Sequence, residues 1–293
     1  MALPAHDTRP RQTTFGAWLL GLLGLLTLIS IGWRPFVHRG LYDVDRGLAA
    51  WRQERMLHGY LVRRLPHFVI YYTPTESKDV SLIAGLAQKS YPIETRTLRI
   101  FPNHPIPIVI EPSVAALNLA VGLPANDANL GVYWEGVARV LSPQAWLGQG
   151  PNVTTIYARS GPLPHELGHA LLNLKADGNY PAWFNEGVAQ WEDWRVTGYQ
   201  WITKGNSLRG PLYSMGQLSA RFYRLPNQAL AYREGLSLVR FLRARGSQSS
   251  WLRFLDTLRR GTSFSYALRQ VYRYPSVKAF FRKWYQDLHR THS

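Results

Sequence analysis

Five consecutive residues, His165-Glu166-Leu167-Gly168-His169, place two imidazoles and a carboxylate at a spacing that can do metal chemistry. On an α-helix, residues four apart share a face and lie about 6 Å apart along the axis. His165 and His169 can therefore offer ring nitrogens to one ion, while Glu166 projects to the flank, where it can take a proton from a water activated by that ion. The chain has no cysteine, which excludes disulfides, thiolate nucleophiles and cysteine-bound zinc together; any metal must be held by His, Asp or Glu. A catalytic zinc ion usually takes three protein ligands. The third candidate is Glu186, within Pro181-Ala182-Trp183-Phe184-Asn185-Glu186-Gly187-Val188-Ala189. A carboxylate among Trp183, Phe184, Val188 and Ala189 is costly to bury without a partner, and a metal is such a partner. The histidines at 6, 38, 58, 67, 104, 289 and 292 show no ligand spacing.

These residues need elements to hold them. Pro164 suits the first turn of a helix over 164–174, and Pro181 opens a second over 181–193 after the turn Asp177-Gly178-Asn179. A helix–turn–helix hairpin then folds Glu186 back onto the histidines. Upstream, a helix is expected around Leu48 to Val62. Strands are predicted at Phe68–Tyr72 and Ile106–Glu111, the latter near an edge or an end because of its prolines. Helices are expected at 80–95 and 114–121. A hairpin follows, with Gly131–Trp134 and Val137–Leu141 joined at Glu135-Gly136, and Thr154–Ala158 reads as a last short strand. Beyond it come only helices, at about 214–223, 229–245, 248–260, 263–272 and 275–288. Strands first and helices second is an α+β order: a small mixed β-sheet half over 66–162, then an all-helical half over 163–288. Leu238, Phe241, Leu242, Trp251, Phe254 and Leu255 fall at core spacing, with arginines between them toward solvent.

The ends and the charge bear on partners. Phe15 to Trp33 is 19 residues without a charge, long enough as a helix to cross a bilayer. Residues 1–34 are thus read as tail and single-pass transmembrane anchor, and 35–65 as a juxtamembrane connector; removal as a signal segment is the other outcome. The count of flanking arginines points to a cytoplasmic body, yet large domains translocate regardless of such charges, and the body is expected outside the cytoplasm. A net charge of +16 favours anionic surfaces, lipid or cell-wall polymer. The basic residues recur from Arg9 to Arg290 with no block of five or six, and no nucleic-acid motif accompanies them; no specific nucleic acid is expected. At 46% hydrophobic and 18% charged, the chain is far from disordered composition.

The pairing of His-Glu-Leu-Gly-His with a downstream Trp-Phe-Asn-Glu-Gly-Val-Ala resembles the gluzincins, zinc peptidases whose third ligand is a glutamate. It is most similar to their compact, often membrane-anchored peptidase MA-like branch, over residues 66–288. The resemblance implies a zincin-type fold and one Zn2+ per chain. His165, His169 and Glu186 would be the ligands and Glu166 the general base for hydrolysing peptide or protein substrates. It also implies a later tyrosine as oxyanion donor, for which Tyr232 is the candidate. Gly131 and Tyr133 would bind substrate along a strand edge, and Glu135 would hold a free peptide amine were the enzyme an aminopeptidase. His169 and Glu186 stand closer in sequence than in the large aminopeptidases of that clan, which implies a shorter connection. The competing reading is a catalytically silent membrane-surface binding protein that keeps the fold.

Overall fold

The computed structural model describes residue 55 and residues 57–290. The expected anchor at 15–33 and most of the connector lie outside the described residues; among those described, no helix is long and apolar enough to cross a membrane. The chain is α+β, with a five-stranded mixed sheet and a helical C-terminal part.

The strands are β1 (Leu61–Arg64), β2 (Phe68–Tyr72), β3 (Ile106–Glu111), β4 (Gly131–Trp134) and β5 (Val137–Leu141), in the order β1-β2-β3-β5-β4. The three inner strands run parallel and the two outer ones antiparallel. Inner strands are near-continuous apolar runs because both faces are covered. All five residues of β5 are buried, and even Arg139 stays inside by pairing with Glu111 of β3. The helices α1 (Val80–Leu98) and α2 (Val114–Ala120) make the crossovers, and α3 (Pro143–Leu147) and α4 (Val153–Ser160) follow the sheet.

Three expectations are corrected. The segment expected as a strand, Thr154–Ala158, lies inside α4. Its β-branched run suggests a strand, but Tyr157 is the only fully buried side chain and donates its hydroxyl to the Leu141 carbonyl at 2.8 Å. A single buried anchor leaves no alternating buried face for a strand, so tertiary docking overrides propensity. Leu61 and Val62, placed at the end of a helix, belong instead to β1, after Gly59 turns the chain at φ +92°. Strand β3 is central, so of the two places its prolines suggested the edge is wrong and the end, at its second residue, is right. Pro107 is tolerated there because it faces Val69 of β2 while pairing with β5 begins only at Ile108, so its missing N–H leaves no ladder bond unmade.

The helical part comprises α5 (Leu163–Ala176), α6 (Ala182–Thr197), α7 (Met215–Ala220), α8 (Gln228–Ala244), α9 (Gln248–Arg259), α10 (Phe264–Tyr272) and α11 (Val277–Arg290). Helix α5 is buried on nearly all sides, packed on α1, α6, α9 and the β4–β5 hairpin. The sheet's inner face and these helices share one core, continued by the ring cluster of Trp183, Phe184, Trp251, Phe254 and Phe264. Helices α6 and α8 cross with backbones almost touching: a Cβ on Gly187 would sit 2.3 Å from the Gly235 carbonyl oxygen. Only two glycines allow that approach, and it sets the depth at which α8 meets the first turns of α6. The helix expected at 214–223 is broken after α7, and a separate turn runs from Phe222 to Arg224.

Two carboxyls lie fully buried in the layer where α1 and α6 pack, Glu94 and Glu192. Burial raises both, and the nearby carboxyls of Glu192 and Asp193 raise Glu94 further. Glu192 is pushed up to about 8, with Arg195 opposing from 3.7 Å and the Thr97 hydroxyl also holding it down. A carboxyl raised on folding contributes stability that is complete below its unfolded value, about 4.3, and is lost as pH rises through the folded value. Glu192→Gln should therefore flatten the fall in melting temperature between pH 5 and 8, measured by calorimetry. An unchanged slope would place the pH dependence elsewhere.

Candidate metal centre

The centre is built by the α5–α6 hairpin. Pro164 stands in the first turn of α5, and the helix ends at Asp177 in the left-handed region, φ 49°, followed by Gly178 at 68°. That reversal is pinned by Asn179, whose side-chain amide donates to the carbonyls of Leu258 and Thr262 at 2.7 and 2.8 Å. Pro181 then caps α6, and Glu186 arrives opposite the histidines in its second turn.

The three expected ligands meet. Among the described residues they form one group of donor atoms placed to hold an ion. His165 Nε2 lies 3.0 Å from His169 Nε2 and 3.2 Å from Glu186 Oε2, and His169 Nε2 lies 3.4 Å from the same oxygen. Neighbouring vertices of a tetrahedron with bonds of about 2.0–2.1 Å are about 3.3 Å apart, so the donor set fits a zinc ion. The far nitrogen of His169, Nδ1, is 2.9 Å from Asn185 Oδ1. A proton on Nδ1 would turn the lone pair of Nε2 toward the centre, the usual outer support of a ligating imidazole.

The electrostatics follow from burial of opposite charges. Burial opposes charge on Glu186, but His169 and His165 hold its carboxyl well below the usual range. Burial likewise works against a charged His169, and Glu186 outweighs it to raise the imidazole to about 9. Glu166, beside the group and only 5% exposed, is raised by burial while both histidines oppose the shift; the backbone N–H of Tyr133 donates to it. Asp193 is lifted by burial to about 6, held down in part by His165 and by its bond to Thr197.

The remaining predicted residues divide. Gly131 is next to Glu166: a Cβ there would lie 2.7 Å from Glu166 Oε1 and 2.8 Å from Pro162 Cβ, so glycine leaves room for the carboxylate. Tyr133 contributes its amide, but its side chain lines a different cleft with the loop at 100–107 and reaches Asn173 Oδ1 at 3.4 Å. Tyr232 comes close, its ring 6.3 Å from that of His165, and the Glu186 carboxylate is near enough to raise its hydroxyl beyond what burial does. Glu135 sits in the hairpin turn at φ 48° and is not among the residues lining the cleft over the metal group. That cleft, about 390 Å³, is lined by His165, Glu166, Gly131, Trp146, Trp201 and Tyr232 among others.

Two contributors escaped sequence reasoning. Tyr223 donates its hydroxyl to Glu186 Oε1 at 2.7 Å; it belongs to the turn after α7, one of sixteen tyrosines, and nothing local marks it. Asn185 adjoins Glu186 in sequence, which was a usable signal. Comparison with protein-family models finds no match, and none of the curated proteins compared is similar to this chain.

With its outer support removed, the centre should bind zinc more weakly. Asn185→Ala is expected to lower zinc affinity about 10–100-fold, and His169→Ala to abolish stoichiometric binding, both read by competition with a chromophoric chelator. Equal affinity in Asn185→Ala would remove that residue from the centre.

Proposed function

We propose that this chain is a zinc-dependent metallopeptidase of gluzincin type, tethered to a membrane through residues 15–33, with its peptidase domain outside the cytoplasm. The observation that carries the reading is the convergence of His165, His169 and Glu186 within 3.4 Å, with Glu166 beside them at the mouth of a cleft. A zinc ion held there would supply Lewis acidity toward a water and a substrate carbonyl.

The chain's own groups supply the rest. Glu166 is the base. Its second carboxylate function, proton delivery to the leaving amine, requires that it pivot without leaving the site, and the Tyr133 N–H with the Cβ-free space at Gly131 gives it one seat. Strand β4 is an edge, paired only to β5, so an extended peptide can add along it beside Glu166. This supports peptide or protein as the substrate class. The Tyr223 hydroxyl donates to Glu186 and Tyr232 lines the same cleft; both are raised by burial and by the nearby carboxylates, so each stays protonated and able to donate to a developing oxyanion. Glu135 lies outside the cleft lining, which favours an endopeptidase over an aminopeptidase.

Glu166→Gln should retain one zinc per chain and lose about 10²–10⁴-fold in turnover on a peptide library; normal hydrolysis by this variant would defeat the assignment. Gly131→Ala should also keep zinc while kcat falls about 10²-fold, because the base is displaced. For the two tyrosines, a Phe variant that loses kcat at constant zinc affinity marks the oxyanion donor. One that loses zinc affinity instead marks a support for Glu186.

A further inference from the structure

The charge of the chain is unevenly spread. Residues 221–290 carry fifteen Lys and Arg against three Asp and Glu, a net of +12 out of +16 for all 293 residues. The three acids do not neutralise the surface. Glu234 is buried and accepts the Tyr213 N–H at 2.9 Å. Asp256 is taken by Lys175 of α5 and Asp287 by Arg245, each at 2.6 Å.

Nine of those fifteen cations lie between Arg253 and Arg290, on or beside α9, α10 and α11, which pack in succession. Helix α11 buries Phe280 and Trp284 and turns Lys278 and Arg282, one helical turn apart, to solvent. Helix α10 exposes Arg269, with Arg273 just past its end, and α9 exposes Arg253 and Arg260, two turns apart. None of these six has a carboxylate within salt-bridge distance among the described residues. Tyr266 and Tyr285 are interleaved with them, 42% and 44% exposed. Cations with long apolar stems alternating with amphipathic rings suit the headgroup layer of a bilayer. A rigid polyanion would be met by charge alone and gives no use for the rings.

We infer that α9–α11 form a docking face for a membrane surface rich in anionic phospholipid, independent of the metal centre. The face lays the body flat on the bilayer. Its attraction rises with the anionic fraction and is screened by salt.

Because the chain has no cysteine, single spin labels can be placed at Gln270→Cys and Gln286→Cys, both exposed on this face, and at Gln88→Cys, exposed on α1. The full chain is combined with phosphatidylcholine nanodiscs, with or without about 30% phosphatidylglycerol. Accessibility to a water-soluble nickel chelate should drop severalfold at 270 and 286 in the anionic discs only. It should be unchanged at 88, return at about 0.5 M salt, and not drop in Arg269→Glu/Lys278→Glu/Arg282→Glu. Equal accessibility in the two kinds of disc would overturn the inference. So would protection by polyphosphate or duplex DNA without protection by anionic discs, which would reassign the face to a polymer.

Discussion

The carboxylate of Glu186 is the group on which the arrangement depends. It lies 4% exposed, two residues from Phe184 and beside the aromatic core that Trp183 and Phe184 anchor. An unpaired charge there would cost several kcal/mol, so the groups around it supply partners: imidazoles from α5 and the Tyr223 hydroxyl from the turn after α7. The α5–α6 hairpin, the reversal at Asp177–Gly178 and the Gly187–Gly235 crossing are the backbone conditions that bring those partners within reach. Neighbouring helices are thus held in register by the need to satisfy one buried anion.

The sheet serves the same centre from the other side. Three parallel inner strands form a stiff platform, and the β4–β5 hairpin extends it so that the free edge of β4 runs past Glu166. An edge strand normally presents unpaired amides to any passing strand. Here the Tyr133 amide is engaged by Glu166, so the edge is occupied at the point where that carboxylate sits. Stiffness on the sheet side and several converging hydrogen bonds on the helix side keep the site's groups near fixed positions, which is what a preorganised centre requires.

Burial and exposure divide the chain's ionisable groups by role. Inside, Glu94, Glu166, Glu192 and Asp193 are weaker acids than usual because burial penalises their charged forms. Outside, the last helices expose several arginines and lysines with no carboxylate in salt-bridge reach among the described residues, Arg269, Lys278 and Arg282 among them. The interior charges lie where helices α1, α5 and α6 pack, and the exterior ones on the last three helices.

By itself the sequence determined the grouping of His165, His169 and Glu186, because a four-residue step on a helix and a proline-started second helix are local rules that need no tertiary information. The hairpin at Glu135-Gly136, the parallel inner strands' apolar runs and the periodic core of α8 and α9 were legible for the same reason. What only the tertiary structure decided is non-local. Strand-like Thr154–Ala158 became a helix once Tyr157 had a carbonyl to reach across the fold. Pro107 entered a central strand because pairing on one side starts a residue later. Tyr223 joined the centre because the chain breaks after Ala220, and Gly131 revealed its use as empty space for Glu166 only when two segments 35 residues apart came together. Period and propensity report on neighbours along the chain, whereas these roles depend on neighbours brought in by folding.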